Sequence, residues 1–457
     1  MKTTSIRYGM MRTAASRLDA PFYLNDAVAY YSGLKKCPYE LTSVAAESSR
    51  VFFGNIFSRN FVKDEERGVP YLRASEIQKA DLDSGGLYIS KKQADKLSYL
   101  RLKRGWILVT CSGSLGNCVL ADARFEQFIA THDLIRIVPE KNKLESGALY
   151  AFLASRYGYA TLTHSQYGSV ILHTNPEQVG GIQIPVFPGA FQKRIHKLIT
   201  ESARLREEAD AALKESLKLF EDASGEHGFP HETLTRRATY RSICASRRRM
   251  DAQYQLGMQR VAAAKQSGGC EQVRIGDVAK RIFLAQRGRR TYVKNGLPFL
   301  SSSDMMLFNA KRSSKPISKA TVGIDSMIVH ENDILISCDG TVGNVIIVGH
   351  DLSGAAVSHH ALRVVVDCDK MSPCYVFAYF KTALARRTIE SSAYGSVIVT
   401  INADYIADMT IPMLPRKTYD RIVSLISDYK DKLATAADLE NEAIGAVEAE
   451  IESWQRA

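Results

Sequence analysis

The sequence predicts an α+β protein built from one unit used twice, each copy closed by a long amphipathic helix. Three observations predict this. The second half repeats the first at a nearly constant offset, short strand-like stretches alternate with turn residues, and behind each copy the apolar period changes from 2 to about 3.5. A chain of 457 residues with 45% hydrophobic and 24% charged residues has ordinary globular composition and room for two to four domains. Its 60 Lys+Arg against 49 Asp+Glu give a net charge of +11, which suits a surface that binds a polyanion.

The repeat runs through five blocks. GVPYLRASEI from Gly68 answers GLPFLSSSDM from Gly296, an offset of 228. ILVTCSGSLGNCV from Ile107 answers ILISCDGTVGNVI from Ile334, and THDLIRIV from Thr131 answers SHHALRVV from Ser358, both at an offset of 227. YGSVI recurs unchanged at Tyr167 and Tyr394, and IPVFP from Ile184 becomes IPMLP from Ile411. The lead-in SRLDAPFY from Ser16 resembles RRMDAQYQ from Arg248 with a small register shift. So long a period excludes a solenoid and implies a fused pseudo-dimer of whole domains.

Within each copy, strands are expected at Trp106–Thr110, Leu134–Val138 and Gly181–Val186, with counterparts at Asp333–Ser337, Leu362–Val366 and Asp408–Met413. Gly147–Thr161 and Cys374–Ile389 carry helical spacing of Leu, Tyr, Phe and Ala. Behind the first copy, Ile195, Leu198, Ile199, Leu205, Ala209, Ala212, Leu213, Leu217 and Phe220 form one stripe, and charged residues including Arg204, Arg206, Glu207, Glu208 and Lys214 fill the rest. Behind the second, Ile422, Ile426, Tyr429, Leu433, Ala436, Ile444, Val447, Ile451 and Trp454 advance by threes and fours. Helices of about 30 residues, some 45 Å long, exceed what one such domain needs for cover, and two in matching positions are expected to pair as an antiparallel coiled coil. Packing of each helix on its own domain is the plainer alternative. Asp222–Thr235 reads as an exposed linker, and the cluster Arg236, Arg237, Arg241, Arg247, Arg248 and Arg249 reads equally as a phosphate-contacting strip or a solvated face.

Several chemistries lack their signatures. There is no GxxxxGK[ST] phosphate loop, no HExxH, and no Asn-Pro-Pro-Tyr motif, the nearest string being Asn175-Pro176-Glu177. The eight cysteines form no CxxC pair and read as buried free thiols, while His132, His359 and His360 read as structural hydrogen-bonding residues before a strand rather than metal ligands. No apolar run of about 18 residues occurs, and Met1–Ser16 is basic without an apolar core behind it, so neither a membrane span nor a secretory signal is expected and a cytoplasmic location is.

The tandem copy, the GxPxLxxS opening, the ILxxCxGxxGN block, the YGSV turn, the IPxxP strand and the helix behind it together resemble the specificity subunits of type I restriction-modification complexes. The resemblance covers nearly the whole chain. It implies two pseudo-twofold-related α/β target-recognition domains separated by a long antiparallel two-helix coiled coil, with boundaries at 1–188, 189–222 for the first spacer helix, 223–240 for the linker, 241–415 and 416–457. It also implies double-stranded DNA with a bipartite site, two methyltransferase subunits and restriction (nuclease-translocase) subunits as partners. The chain itself is then non-catalytic and carries no cofactor or metal; S-adenosylmethionine, ATP and Mg are expected on the partner subunits.

Base contacts are not implied by the resemblance and are chosen on chemistry, since a groove reader needs short polar side chains at loop tips and cations on phosphates. Candidates are Ser112, Ser114 and Asn117 with their twins Asp339, Thr341 and Asn344, although Gly113, Gly116, Gly340 and Gly343 fit a plain tight turn equally well. Tyr167 and Ser169 with Tyr394 and Ser396 form a second pair of turns, and Arg73, Ser75, Ser301, Ser302 and Ser303 follow the opening strands. Lys91, Lys92, Lys311, Arg312 and Lys315 suit phosphate. Two alternatives from other classes are a self-contained DNA nuclease and a coiled-coil protein scaffold. A related phage-defence complex is a third setting for the same subunit.

Overall fold

A computed structural model describes residues 5, 6, 8, 20–24, 26–164, 166, 172–226, 239–245, 247–266 and 269–456. It divides into two compact units: residues 1–207 with 436–457, and residues 208–435. The division falls inside both long helices, Gly189–Ser224 and Arg416–Arg456, so each unit takes one part of each helix.

In the first unit a four-stranded antiparallel sheet has the order Ser48–Phe52, Leu134–Pro139, Ile107–Thr110, Cys118–Leu120. Ile107 pairs with Ile137 on one side and Leu120 on the other, and its strand is buried along its whole length. A smaller sheet orders Phe61–Val62, Tyr88–Ser90, Gly68–Leu72 and Ile129–Ala130, with Tyr71 set parallel to Ile129. Leu41–Ser43 pairs with Gln183–Pro185 just before the first long helix. The core joins Ile107, Ile135 and Phe152 to Ile195 and Ile199 of that helix and to Ile444, Val447, Ile451 and Trp454 of the second. Ser202 Oγ donates to the carbonyl of Ala436 at 2.7 Å, fixing one helix beside the other here.

The second unit repeats the main sheet pair by pair, while its smaller sheet has three strands in place of four among the described residues. Its main sheet runs Ala279–Leu284, Ala361–Val366, Ile334–Ser337, Val345–Ile347, and Ile334 sits between Val364 and Ile347, each 227 residues from its counterpart. Phe299 lies parallel to Ala356, and Gln272–Arg274 pairs with Thr410–Pro412. The core joins Ile334, Val364 and Phe377 to Ala209, Leu213 and Phe220 and to Ile422 and Ile426. Glu208 pairs with Lys432 and Glu215 with Arg421, so numbering rises along one helix as it falls along the other and the two run antiparallel.

The strand expectations hold to within a few residues, but three details differ. The helices expected over Gly147–Thr161 and Cys374–Ile389 are each two, Ser146–Ala154 with Arg156–His164 and Pro373–Lys381 with Ala383–Ser392. A hydroxyl breaks each: Ser155 Oγ donates to the Phe152 carbonyl and accepts from the Gly158 amide, and Thr382 Oγ1 does the same with Tyr379 and Ala385. Arg206 is not part of the solvated face, being 1% exposed with Nε 3.8 Å from the buried Asp122 carboxylate. Cys244 and Cys368 are exposed rather than buried.

Candidate nucleic-acid interface

Each main sheet ends in a hairpin whose loop is built the same way in both units. Thr110 Oγ1 donates to the Ser114 carbonyl at 2.5 Å and accepts from the Asn117 amide at 3.1 Å; Ser337 Oγ binds the Thr341 carbonyl at 2.6 Å and the Asn344 amide at 3.0 Å. Gly113 and Gly116 have φ of 70° and 80°, and Gly340 and Gly343 of 74° and 91°, so these glycines do make the left-handed turn that the loop needs. The Gly113 amide donates to the Leu172 carbonyl and the Gly340 amide to that of Val399, which ties each loop to the segment after the second short helix. With these bonds in place, Ser114 and Thr341 are exposed at the tips, with Asn117 and Asn344 partly exposed beside them. In the first unit Ser114, Asn117, Tyr159 and Thr163 line an open cleft.

Behind the loops a repeat-equivalent arginine fixes the frame. Arg136 is fully buried and donates to the carbonyls of Leu134, Ala130 and Thr131, while Arg363 donates to those of Ile328 and Met327. Burial pulls the Arg136 guanidinium down to about 10, which still leaves it cationic at neutral pH. Both residues were visible in the THDLIRIV and SHHALRVV blocks, yet nothing in a strand pattern marks an arginine as internal. The twin thiols Cys111 and Cys338 are pushed up to about 12, mainly by burial, which makes them poor nucleophiles.

The remaining candidates fall into groups. Arg73 and Ser75 are exposed, but Arg73 is held by the buried Glu76 at 2.8 Å. Ser301 holds the matching place and donates to Asp304 at 2.6 Å, with Ser303 Oγ 2.9 Å away and Ser302 partly exposed. Lys91 and Lys92 open a short helix and are exposed, as are Lys311, Arg312 and Lys315; Lys311 also reaches the Asp351 carbonyl. Tyr394 and Ser396 lie on an exposed turn that includes Val397, 94% exposed, and Ile398. Tyr167 and Ser169, like Arg236 and Arg237, lie outside the described residues. Arg247 pairs with Asp408 and Asp404, and Arg249 with Asp251 at 2.7 Å, so carboxylates already engage two members of the basic cluster.

His132 contacts Asp133 at 3.4 Å, and His360 Nδ1 lies 2.5 Å from Asp339 Oδ2. The His359 ring lies 3.9 Å from that of His360 and receives a bond from Arg287 Nε at 3.2 Å. Among the described residues no group of three or more His, Cys, Asp or Glu is placed to hold a metal ion, and no helix is long and apolar enough to cross a membrane.

The two units thus carry two copies of one polar-tipped hairpin on one frame. The family model for the type I restriction modification DNA specificity domain matches residues 50–218 and again 268–444. The chain belongs to this family, and the two matched segments are the two halves of the repeat. No curated protein matches the chain. Among solved structures, it is similar to the type I restriction-modification system S subunit from M. genitalium, at 11% identity over 92% of this chain and 93% of that one with a TM-score of 0.32. It is also similar to the HsdS subunit from Thermoanaerobacter tengcongensis, at 15% identity over 91% and 96% with a TM-score of 0.27. A third similar structure, concerning complex assembly and conformational transition of the type I R-M system, shares 17% identity over 91% and 97% with a TM-score of 0.28.

Proposed function

We propose that this chain is the DNA-reading subunit of a type I restriction-modification complex, each unit reading one half of a bipartite double-stranded site. The observation that carries the reading is the duplicated hairpin: the same hydroxyl-bridged turn in both units, presenting Ser114 and Asn117 in one and Thr341 and Asn344 in the other. A turn held by its own hydroxyl bridge leaves its polar tips for base edges, while exposed cations of the units such as Lys91, Lys92, Lys311, Arg312 and Lys315 contact phosphate without reading sequence. The net charge of +11 favours such a polyanion. The long helices, about 54 and 62 Å at 1.5 Å per residue over their 36 and 41 residues, act as a spacer between half-sites and as the docking surface for two methyltransferase subunits. Nuclease-translocase subunits join through these. The chain contributes no catalytic group; S-adenosylmethionine, ATP and Mg are used by the partners, and the complex works in the cytoplasm.

The test is enrichment of duplexes from a randomised library by the full chain, with affinity measured across salt. The expected result is two conserved blocks separated by a fixed unconserved gap, and binding that falls steeply as salt rises. Enrichment of one undivided block, or of no sequence at all, would overturn the reading.

A further inference from the structure

Beside each hairpin loop, three positions converge from three segments, and the two units fill them differently. The first position, 112 or 339, starts the loop. The second, 133 or 360, precedes the strand alongside: the Cys111 amide meets the Asp133 carbonyl, and the Cys338 amide meets that of His360. The third, 173 or 400, lies in the segment tied to the loop, bridged to the first as Ser112 with His173 and as Asp339 with Thr400. All three keep the offset of 227. In order, the first unit holds Ser112, Asp133 and His173, and the second holds Asp339, His360 and Thr400. A hydroxyl, a carboxylate and an imidazole are present in both units, each moved round by one position.

The backbone that carries these side chains is the same twice, so the fold does not demand the exchange. Nor is either set sealed in the core: side-chain exposure is 35% at Asp133, 27% at Asp339 and 36% at His360. In the second unit the set is a connected network. Thr400 Oγ1 donates to Asp339 Oδ1 at 2.5 Å, and His360 meets the other carboxylate oxygen. Burial pushes the Asp339 carboxyl up, but these two partners outweigh it and hold it below the usual range, as a fixed acceptor. In the first unit Asp133 instead faces the guanidinium of Arg59 at 3.9 Å and His132 at 3.4 Å. Arginines accompany both sets: Arg59 lies over the Tyr71 ring and Arg290 over the equivalent Phe299, with Arg287 on His359.

We propose that these three positions are base-discriminating in each unit, and that their exchange is how one frame reads two different half-sites. The proposal rests on the reading of the chain as a bipartite DNA reader. Its chemistry is that of the major-groove edge. A carboxylate accepts from the amino group of cytosine or adenine, an imidazole or guanidinium donates to guanine, and a hydroxyl serves either. Moving the acceptor by one position changes which base of the step is paired.

The experiment is to give the second unit the set of the first, with Asp339→Ser, His360→Asp and Thr400→His in the full chain, and to repeat the randomised-duplex enrichment. The expected result is a change of preferred base at one or two adjacent pairs of one half-site, by about tenfold or more, with the other half-site and the gap unaltered. Should the triple variant fail to fold, Asp339→Asn keeps the shape of the side chain and is expected to relax discrimination at one pair of that half-site. An unchanged enriched sequence in a folded variant assigns these residues a structural role only and overturns the proposal. If the unaltered chain itself enriches no divided site, the underlying functional reading has failed rather than the choice of residues.

Discussion

Where the long helices dock, the two units solve one problem with different residues. In the first, Asp122 is fully buried against Arg124 at 2.9 Å, and Arg206 of the helix is buried over it. The neighbouring Glu207 accepts from the Ala123 amide at 2.9 Å and meets Arg104 at 3.1 Å. In the second, the place of Asp122 is taken by Gly349, the places of Arg206 and Glu207 by Leu433 and Ala434, and a Cβ at Gly349 would stand 3.1 Å from that of Ala434. The polar tie there is Lys430, 7% exposed, donating to Glu331 at 2.6 Å and Asn332 at 2.8 Å. The strands and turns kept their register after duplication, while the seams diverged. A sheet register allows no gradual change, because a one-residue slip turns every side chain over; a docking seam needs only that each buried charge has a partner.

The contrast can be broken most strongly at Asp122. Asp122→Asn removes the buried carboxylate that Arg124 meets at 2.9 Å and Arg206 at 3.8 Å and should cost about 3–5 kcal/mol, read by denaturant unfolding with hydrogen exchange to localise the loss to the first unit. Lys430→Met strands Glu331 and Asp431, 45% and 55% exposed, and the partly exposed Asn332, all of which regain water, so about 1–2 kcal/mol is expected. Equal losses at the two sites would mean that both seams are buried alike.

Solution pH should separate the seams further. Burial alone would raise the Asp122 carboxyl, but Arg124 and Arg206 outweigh it and hold it below the usual range. Its contribution is therefore present above about pH 3.9 and lost as pH falls through the lower folded value, so the gap between the unaltered chain and Asp122→Asn should narrow in acid. Burial pulls the Lys430 ammonium down, yet Glu331 and Asp431 outweigh it and hold it above the usual range. That contribution is present below about pH 10.4 and lost as pH rises, so the gap to Lys430→Met should close at the alkaline end. A Lys430→Met gap that closes in acid but persists in alkali would show that Glu331 alone carries the term.

The smallest effects are expected at the loop tips, where the units agree. Ala at Gly113 or Gly340 meets no atom within 4 Å but must adopt a positive φ, costing about 1 kcal/mol in either unit. A loss in one unit only would mean that the two loops are not the same turn.

What the sequence made legible was what repetition and period control: the strands, the two long helices, the glycine turns and the offset of 227. The helix breaks at Ser155 and Thr382 were not legible, because the apolar spacing continues across them and only the hydroxyl bonds reveal the stop. Arg206 and Arg136 carried no mark of burial, since the partners that make burial tolerable come from distant segments. The same holds for the exchanged hydroxyl, carboxylate and imidazole, whose members stand apart in sequence and meet only when the sheet forms. Asp339 and Ser112 were legible as loop residues, but not as one corner of a set.

If the helices space two reading units, as proposed, the decisive measurement inserts seven residues, two helical turns, between Glu207 and Glu208 and again between Thr435 and Ala436, where the compact units divide. Each helix then lengthens by about 10 Å, roughly three base pairs of duplex. The enriched sites are expected to keep both half-site sequences while the gap between them grows by about three base pairs. An unchanged gap, or altered half-site letters, would contradict that spacing role.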